Sequence, residues 1–157
     1  MARPAPRPEL ADARESGFHN IGEAAALTGV SAKMIRHYEA IGLVPPAART
    51  FANYRLYNDA DLHRLRFIKR ARNLGFPMKQ IELLLGLWAD PHRSSAEVKR
   101  LAQAHAGDLA GRIREMQAMQ RTLQALALHC HGDQRPECPI LDDLAGLGPD
   151  AGANPGQ

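Results

Sequence analysis

Residues 20–42 read Asn20-Ile21-Gly22-Glu23-Ala24-Ala25-Ala26-Leu27-Thr28-Gly29-Val30-Ser31-Ala32-Lys33-Met34-Ile35-Arg36-His37-Tyr38-Glu39-Ala40-Ile41-Gly42, and the punctuation of this stretch decides the fold. Asn20 is an N-cap residue ahead of Ile21, Ala24, Ala25 and Leu27, which line one face of a short helix, and Gly29 ends it. Ser31 caps a second helix whose apolar side is Ile35, Tyr38 and Ala40 and which Gly42 closes. Two short helices joined by Thr28-Gly29-Val30 make a helix-turn-helix. The second helix presents Lys33, Arg36 and His37. In this motif the second helix enters the major groove, and side chains near its N-terminus reach the base edges. Any one of these side chains is common on a solvated helix face, so their meaning comes from the motif that carries them.

Working outward, Gly42-Leu43-Val44-Pro45-Pro46 leads into Arg49, Asn53, Tyr54, Arg55, Leu56 and Tyr57, before Asn58 or Asp59 caps the next helix. Pro-Pro followed by the alternation Tyr-Arg-Leu-Tyr predicts a turn and a short extended hairpin, a wing. Arg49, Tyr54 and Arg55 are the residue types that donate to backbone phosphates. Tyr57 is expected mainly in the core, and Tyr54 is expected to divide itself between packing and exposure. From Asp61 to Asn73, Leu62, Leu65, Phe67, Ile68 and Ala71 alternate with Arg64, Arg66, Lys69, Arg70 and Arg72, an amphipathic helix with a cationic outer face. Gly75-Phe76-Pro77 interrupts it. Met78, Ile81, Leu84, Leu85 and Trp88 then mark a fourth helix ending near Asp90-Pro91, with Trp88 as a packing anchor.

A much longer helix starts at Ser94 or Ser95 and runs without proline to about Leu128. Steps of three and four pick out Ala102, Ala106, Leu109, Ile113, Met116, Gln120, Leu123 and Ala127, a coiled-coil seam with one polar member. At about 1.5 Å per residue such a helix extends roughly 50 Å, too far for a domain of this size to cover. A symmetric dimer, antiparallel or parallel, supplies the simplest partner.

Two cysteines are present, Cys130 and Cys138, in Cys130-His131-Gly132-Asp133-Gln134-Arg135-Pro136-Glu137-Cys138-Pro139. Two thiolates complete the coordination of a soft monovalent ion such as Cu(I), whereas Zn(II) ordinarily takes four ligands and hard cations take oxygen. Inert thiols or a local disulfide is the bland reading of the same pair. Met1 to Gly17 lacks the apolar core of a secretory signal, so a reducing cytoplasm is expected, where clustered cysteines more often bind metal or act in chemistry. His129 and His131 flank Cys130 and would extend the donor set toward Zn(II) or Cu(II) if they converged. Adjacent residues seldom supply three convergent ligands, so both are expected to face solvent or pack in the loop.

Composition bounds the rest. The chain has 157 residues, 45% hydrophobic and 5% aromatic, enough for one modest core or an elongated helical dimer. No stretch is long and apolar enough to span a membrane. The net charge of +3 is unevenly distributed: Ser31 to Lys79 holds ten Lys or Arg against three acids, about +7, while Asp133 to Asp150 holds five acids against Arg135, about −4. A basic front half is the electrostatic footprint of a nucleic-acid binder. Paired catalytic acids, a Ser-His-Asp arrangement and a phosphate loop are all missing from the sequence, so an enzyme is not expected. The predicted organisation is an arm without structure over 1–17, a winged-helix DNA-binding domain over 18–90, a dimerisation helix over 94–128, a metal-binding loop and short helix over 129–146, and a disordered tail over 147–157.

The motifs "GVSAKMIRHYEAIGLV" (29–44), "RTFANYRLY" (49–57) and "RLRFIKRARNLGF" (64–76) resemble the DNA-binding domain of MerR-family regulators. "LLLGLWADPHRSSAEVK" (83–99), the long helix and "CHGDQRPECPIL" (130–141) resemble the copper-efflux, Cu(I)-sensing branch. The likeness runs from Phe18 to about Leu144. It implies a mainly α fold: a winged helix-turn-helix, a long dimerisation helix and a C-terminal metal loop. It also implies a homodimer with antiparallel long helices, each metal loop lying near the start of the partner's long helix. Family members bind a promoter whose elements are spaced too widely for RNA polymerase, and on binding metal they bend and untwist it. Carried over residue by residue, Cys130 and Cys138 match the Cu(I) ligands, with Ag(I) and Au(I) chemically similar. Ser95 falls where divalent-metal sensors have a third cysteine. Groove or backbone roles fall to Lys33, Arg36, His37, Arg49, Tyr54 and Arg55, with Tyr38 assigned to the core. A Zn(II)- or oxidation-responsive regulator of the same family, or a cytoplasmic metal carrier, remains as the alternative.

Overall fold

The computed structural model describes residues 9–147, which form α1 (Leu10–Glu15), α2 (Ile21–Thr28), α3 (Ala32–Ala40), β1 (Ala48–Arg49), β2 (Arg55–Leu56), α4 (Asp59–Asn73), α5 (Met78–Ala89), α6 (Ser95–His129) and α7 (Pro139–Leu144). Two compact units result, one ending at Leu101 and the other beginning at Ala102.

The first unit is built on the caps that the sequence announces. The Asn20 side chain accepts from the Glu23 N–H at 2.8 Å, and Gly29, at φ 70°, donates its N–H to Ala25 as the left-handed close of α2. Ser31 accepts from the Met34 N–H at 3.2 Å to start α3. Asn58 and Asp61 form a reciprocal capping box at the head of α4. The core gathers Ala24 of α2, Ile35 and Tyr38 of α3, Leu43, Val44, Tyr57, then Leu62, Leu65 and Ile68 of α4 and Ile81 and Leu85 of α5. Ala40 is exposed, because α3 turns its last residue outward, so the buried face of α3 is Ile35 and Tyr38 only. Leu27 is likewise half exposed.

β1 and β2 pair antiparallel in the register Ala48↔Leu56 and Arg49↔Arg55, and a bridge His19↔Tyr57 ties the chain entering α2 to the strand leaving the hairpin. Trp88 of α5 stacks on Phe67 of α4, ring centroids 5.1 Å apart and 10° between planes, with its outer edge in solvent. Part of the α4 charge closes other elements: Arg64 donates to the Leu43 carbonyl at 3.3 Å and Arg66 to the Leu27 carbonyl at 3.2 Å. Lys69 lies against Gly29, where an added Cβ would collide with its ammonium. Cations at the C-terminus of α2 are favoured by its dipole and by its unpaired carbonyls.

The expectation of a structureless arm over 1–17 is corrected for Leu10–Glu15. Ala13 is buried, Phe18 donates its N–H to the Ala13 carbonyl at 2.9 Å, and Arg14 pairs with Glu23 of α2. A six-residue helix is marginal in isolation, and these contacts to the neighbouring chain hold it. Residues 1–8 and 148–157, on which the rest of the arm and nearly all of the tail were expected, lie outside the described residues.

In the second unit α6 continues to His129. Ile113, Met116, Met119 and Leu123 are all more than half exposed along it. Among the described residues no helix is long and apolar enough to cross a membrane.

Candidate DNA-binding face and metal loop

Lys33, Arg36 and His37 occupy positions i, i+3 and i+4 of α3, and all three are exposed while Ile35 and Tyr38 between them are buried. Burial of one side of α3 therefore fixes the other side as a solvent-facing cationic edge. The hairpin adds Arg49, whose Nη1 donates to the Asn53 carbonyl at 3.1 Å, and the largely exposed Tyr54. Its loop is closed by Asn53 N–H to the Thr50 carbonyl at 2.9 Å, Thr50 N–H to the Tyr54 carbonyl at 2.9 Å, and Tyr54 N–H to Thr50 Oγ1 at 3.0 Å. Asn53 takes φ 69°, the left-handed third position of a three-residue hairpin loop, a conformation that Asn tolerates better than most side chains.

Glu39 joins α3 to the wing, and the reading of the sequence passed over it. Its carboxylate accepts from the Tyr57 hydroxyl at 3.2 Å and from the Ala47 N–H at 3.2 Å, and lies 3.3 Å from Arg55 Nε. The Arg55 contact is an ion pair without hydrogen-bond geometry at Nε. Burial, and then the adjacent Glu39 carboxylate, pushes the Tyr57 phenol up to about 12. One signal was legible: Glu39 is the lone acid between Ser31 and Asn58 in a basic segment. At the entry to α2, partial burial tends to raise the Glu23 carboxyl, but Arg14, the Asn20 backbone N–H and His19 together hold it below its usual value.

Cys130 closes α6, its N–H shared between the Leu126 and Ala127 carbonyls at 3.2 Å each, and Cys138 is the N-cap residue of α7, ahead of Pro139 at the first helical position. Both thiols are free and partly buried, and the Cys138 side chain makes no capping bond. The intervening loop is shaped by Gly132 at φ 64° and by Arg135, which donates its backbone N–H to Asp133 at 2.9 Å and pairs its Nε with the same carboxylate at 2.6 Å. His129 Nδ1 lies 2.7 Å from the Ala125 carbonyl. Because a carbonyl only accepts, Nδ1 carries the proton and is turned back along its own helix. Among the described residues no group of three His, Cys, Asp or Glu side chains gathers around one point. The donor set that remains is two soft thiols. Ser95 is the exposed first residue of α6.

A helix-turn-helix with a hairpin wing and an exposed cationic edge on its second helix is the architecture of a DNA-binding domain. The family model described as "MerR HTH family regulatory protein" matches residues 19–87, and "MerR, DNA binding" matches residues 62–126. The regulator HmrR of Sinorhizobium medicae is 56% identical over 126 residues, covering 80% of this chain and 86% of that one. The regulator CueR of Escherichia coli is 39% identical over 127 residues, covering 81% and 94%. The crystal structure of a transcription regulator of Ralstonia metallidurans in complex with lead(II) superposes with TM-score 0.70 at 34% identity, covering 80% of this chain and 98% of that one. The chain belongs to the MerR family of helix-turn-helix transcriptional regulators.

Proposed function

We propose that the protein is a cytoplasmic, Cu(I)-responsive activator of copper-efflux and resistance genes, with Ag(I) and Au(I) as alternative effectors. The observation that carries this reading is the donor set: two free thiols, one directly after α6 and one at the N-cap of α7, with no group of three His, Cys, Asp or Glu among the described residues. Two thiolates suit a soft, low-coordinate monovalent ion and leave a divalent ion short of ligands. Ser95 is consistent with this, since a hydroxyl stands where a third thiolate would favour a divalent ion. Relatives of Rhizobium meliloti named as heavy metal-dependent transcription regulators, 55% and 53% identical, agree with a metal effector.

Lys33, Arg36 and His37 read the major groove, while Arg49, Tyr54 and Arg55 hold the backbone. The exposed stripe of Ile113, Met116 and Leu123 supports a homodimer through α6, which presents two recognition helices to a two-fold operator. Metal binding favours the dimer geometry that untwists the promoter for RNA polymerase, so the signal travels as DNA deformation.

In vitro transcription from a cognate promoter tests this, with Cu(I), Zn(II) and Pb(II) added separately to wild type, Cys130→Ser and Cys138→Ser. Activation by Cu(I) alone, lost in both variants, is expected. Activation by Zn(II) or Pb(II) with no response to Cu(I) would replace the effector and leave the DNA-binding reading in place.

A further inference from the structure

We infer that Phe51, at the apex of the wing, is an apolar DNA anchor whose ring packs into the minor groove against the deoxyribose wall. Phe51 is 78% exposed, although it sits in a short loop of otherwise defined geometry. Scattered exposed apolar residues are ordinary on protein surfaces, so exposure alone carries nothing. What distinguishes Phe51 is its setting.

The loop is pinned on both sides: Thr50, next to Phe51, is 1% exposed and takes part in all three hydrogen bonds that close the turn. The ring therefore projects from a rigid base and gives up little backbone freedom on docking. Positions at a hairpin tip favour Gly, Asn, Asp, Ser or Pro, for which Phe offers no conformational advantage. The same loop holds the Arg49 guanidinium at the Asn53 carbonyl, and Glu39 couples the hairpin to α3 through Arg55 and Ala47. An aromatic residue and a guanidinium on one short loop, in an element tied to the recognition helix, match the chemistry of a groove edge: anionic phosphate flanking apolar sugar. Apolar side chains are the established means of packing or wedging into a minor groove, and they contribute without counterion release.

This inference rests on the assignment of α3 and the hairpin as the DNA face, and its test separates the two. Affinity for a labelled operator duplex, selected by the wild-type protein from a random pool, is measured as a function of salt for wild type, Phe51→Ala, Phe51→Leu, Arg49→Ala and Arg36→Ala. Burial of a largely exposed Phe predicts that Phe51→Ala weakens binding by about tenfold, Phe51→Leu by less, with the slope of log K against log salt unchanged. Arg49→Ala instead lowers that slope by about one. Thermal melting of the Phe51 variants is expected to match wild type, since the residue is largely exposed in the free protein. Unchanged affinity in Phe51→Ala, with Arg36→Ala impaired, would overturn the anchor alone. Unchanged affinity in both would overturn the DNA face and the anchor with it. As a direct readout, Phe51→Trp in a Trp88→Phe background should show altered emission on adding the duplex. Emission that stays at its solvent-exposed maximum would refute the contact.

Discussion

Replacing Tyr57 with Phe deletes one hydroxyl from a ring that is fully buried and leaves the rest of the core in place. The lost hydrogen bond, 3.2 Å to Glu39, runs to a carboxylate, and such bonds contribute about 1.5–3 kcal/mol. Glu39 keeps the Ala47 N–H and the Arg55 ion pair, so the lower end of that range, about 1.5 kcal/mol, is expected. A second signature lies at high pH. The folded phenol titrates at about 12 instead of 10, raised first by burial and then by Glu39. A folded value above the unfolded one means that the neutral ring contributes its full stability below about pH 10 and loses it as pH rises toward about 12. At about 1.4 kcal/mol per unit, the alkaline loss is about 3 kcal/mol in wild type and is missing from the Phe variant. Urea unfolding followed through Trp88, the single tryptophan, which stacks on Phe67 within the same unit, reads both quantities. The wild-type curve should therefore meet the variant's near about pH 11 and fall below it by about pH 12. Stability of Tyr57→Phe within about 0.5 kcal/mol of wild type at pH 8, with the same alkaline decline, would refute the role given to the Tyr57–Glu39 contact.

Arg36→Ala should weaken operator binding at fixed salt without changing metal affinity, measured by fluorescence anisotropy and metal competition, because its side chain lies on the exposed edge of α3. Ile113→Glu or Leu123→Glu puts a charge into the exposed stripe of α6. Sedimentation should show monomers with helicity retained, whereas an intact dimer would remove the stripe from the interface.

The helix-turn-helix was legible because its determinants are local. Asn20, Ser31 and Asn58 cap in the structure as their residue types foretell, and the recurrence of Leu62, Leu65 and Ile68 at every third position marks the buried face of α4. The hairpin was legible in its turn residues, but the alternation read into Tyr54-Arg55-Leu56-Tyr57 does not hold, since the adjacent Leu56 and Tyr57 are both buried while Tyr54 is exposed. Helix α1 was not, since six residues after a Pro- and Arg-rich run carry no period, and Ala13 finds its burial only through tertiary contact. Arg64 and Arg66 read as solvated cations, yet their partners are the Leu43 and Leu27 carbonyls, 21 and 39 residues away in sequence. Glu39 escaped notice for the same reason: its partners Ala47, Arg55 and Tyr57 converge only once the chain has turned through the wing. At the metal loop the two cysteines were evident. The disposition of His129 was not, because it depends on a ring bonding back to the carbonyl one helical turn earlier.

Anaerobic titration of the reduced protein with Cu(I) under a competing chelator, comparing wild type with Cys130→Ser and Cys138→Ser, tests the central claim most directly. One tightly held Cu(I) per protomer, lost in each variant while both still bind operator DNA, is the predicted result. Weak Cu(I) binding, or tight binding that survives loss of either thiol, would contradict a two-thiolate Cu(I) site.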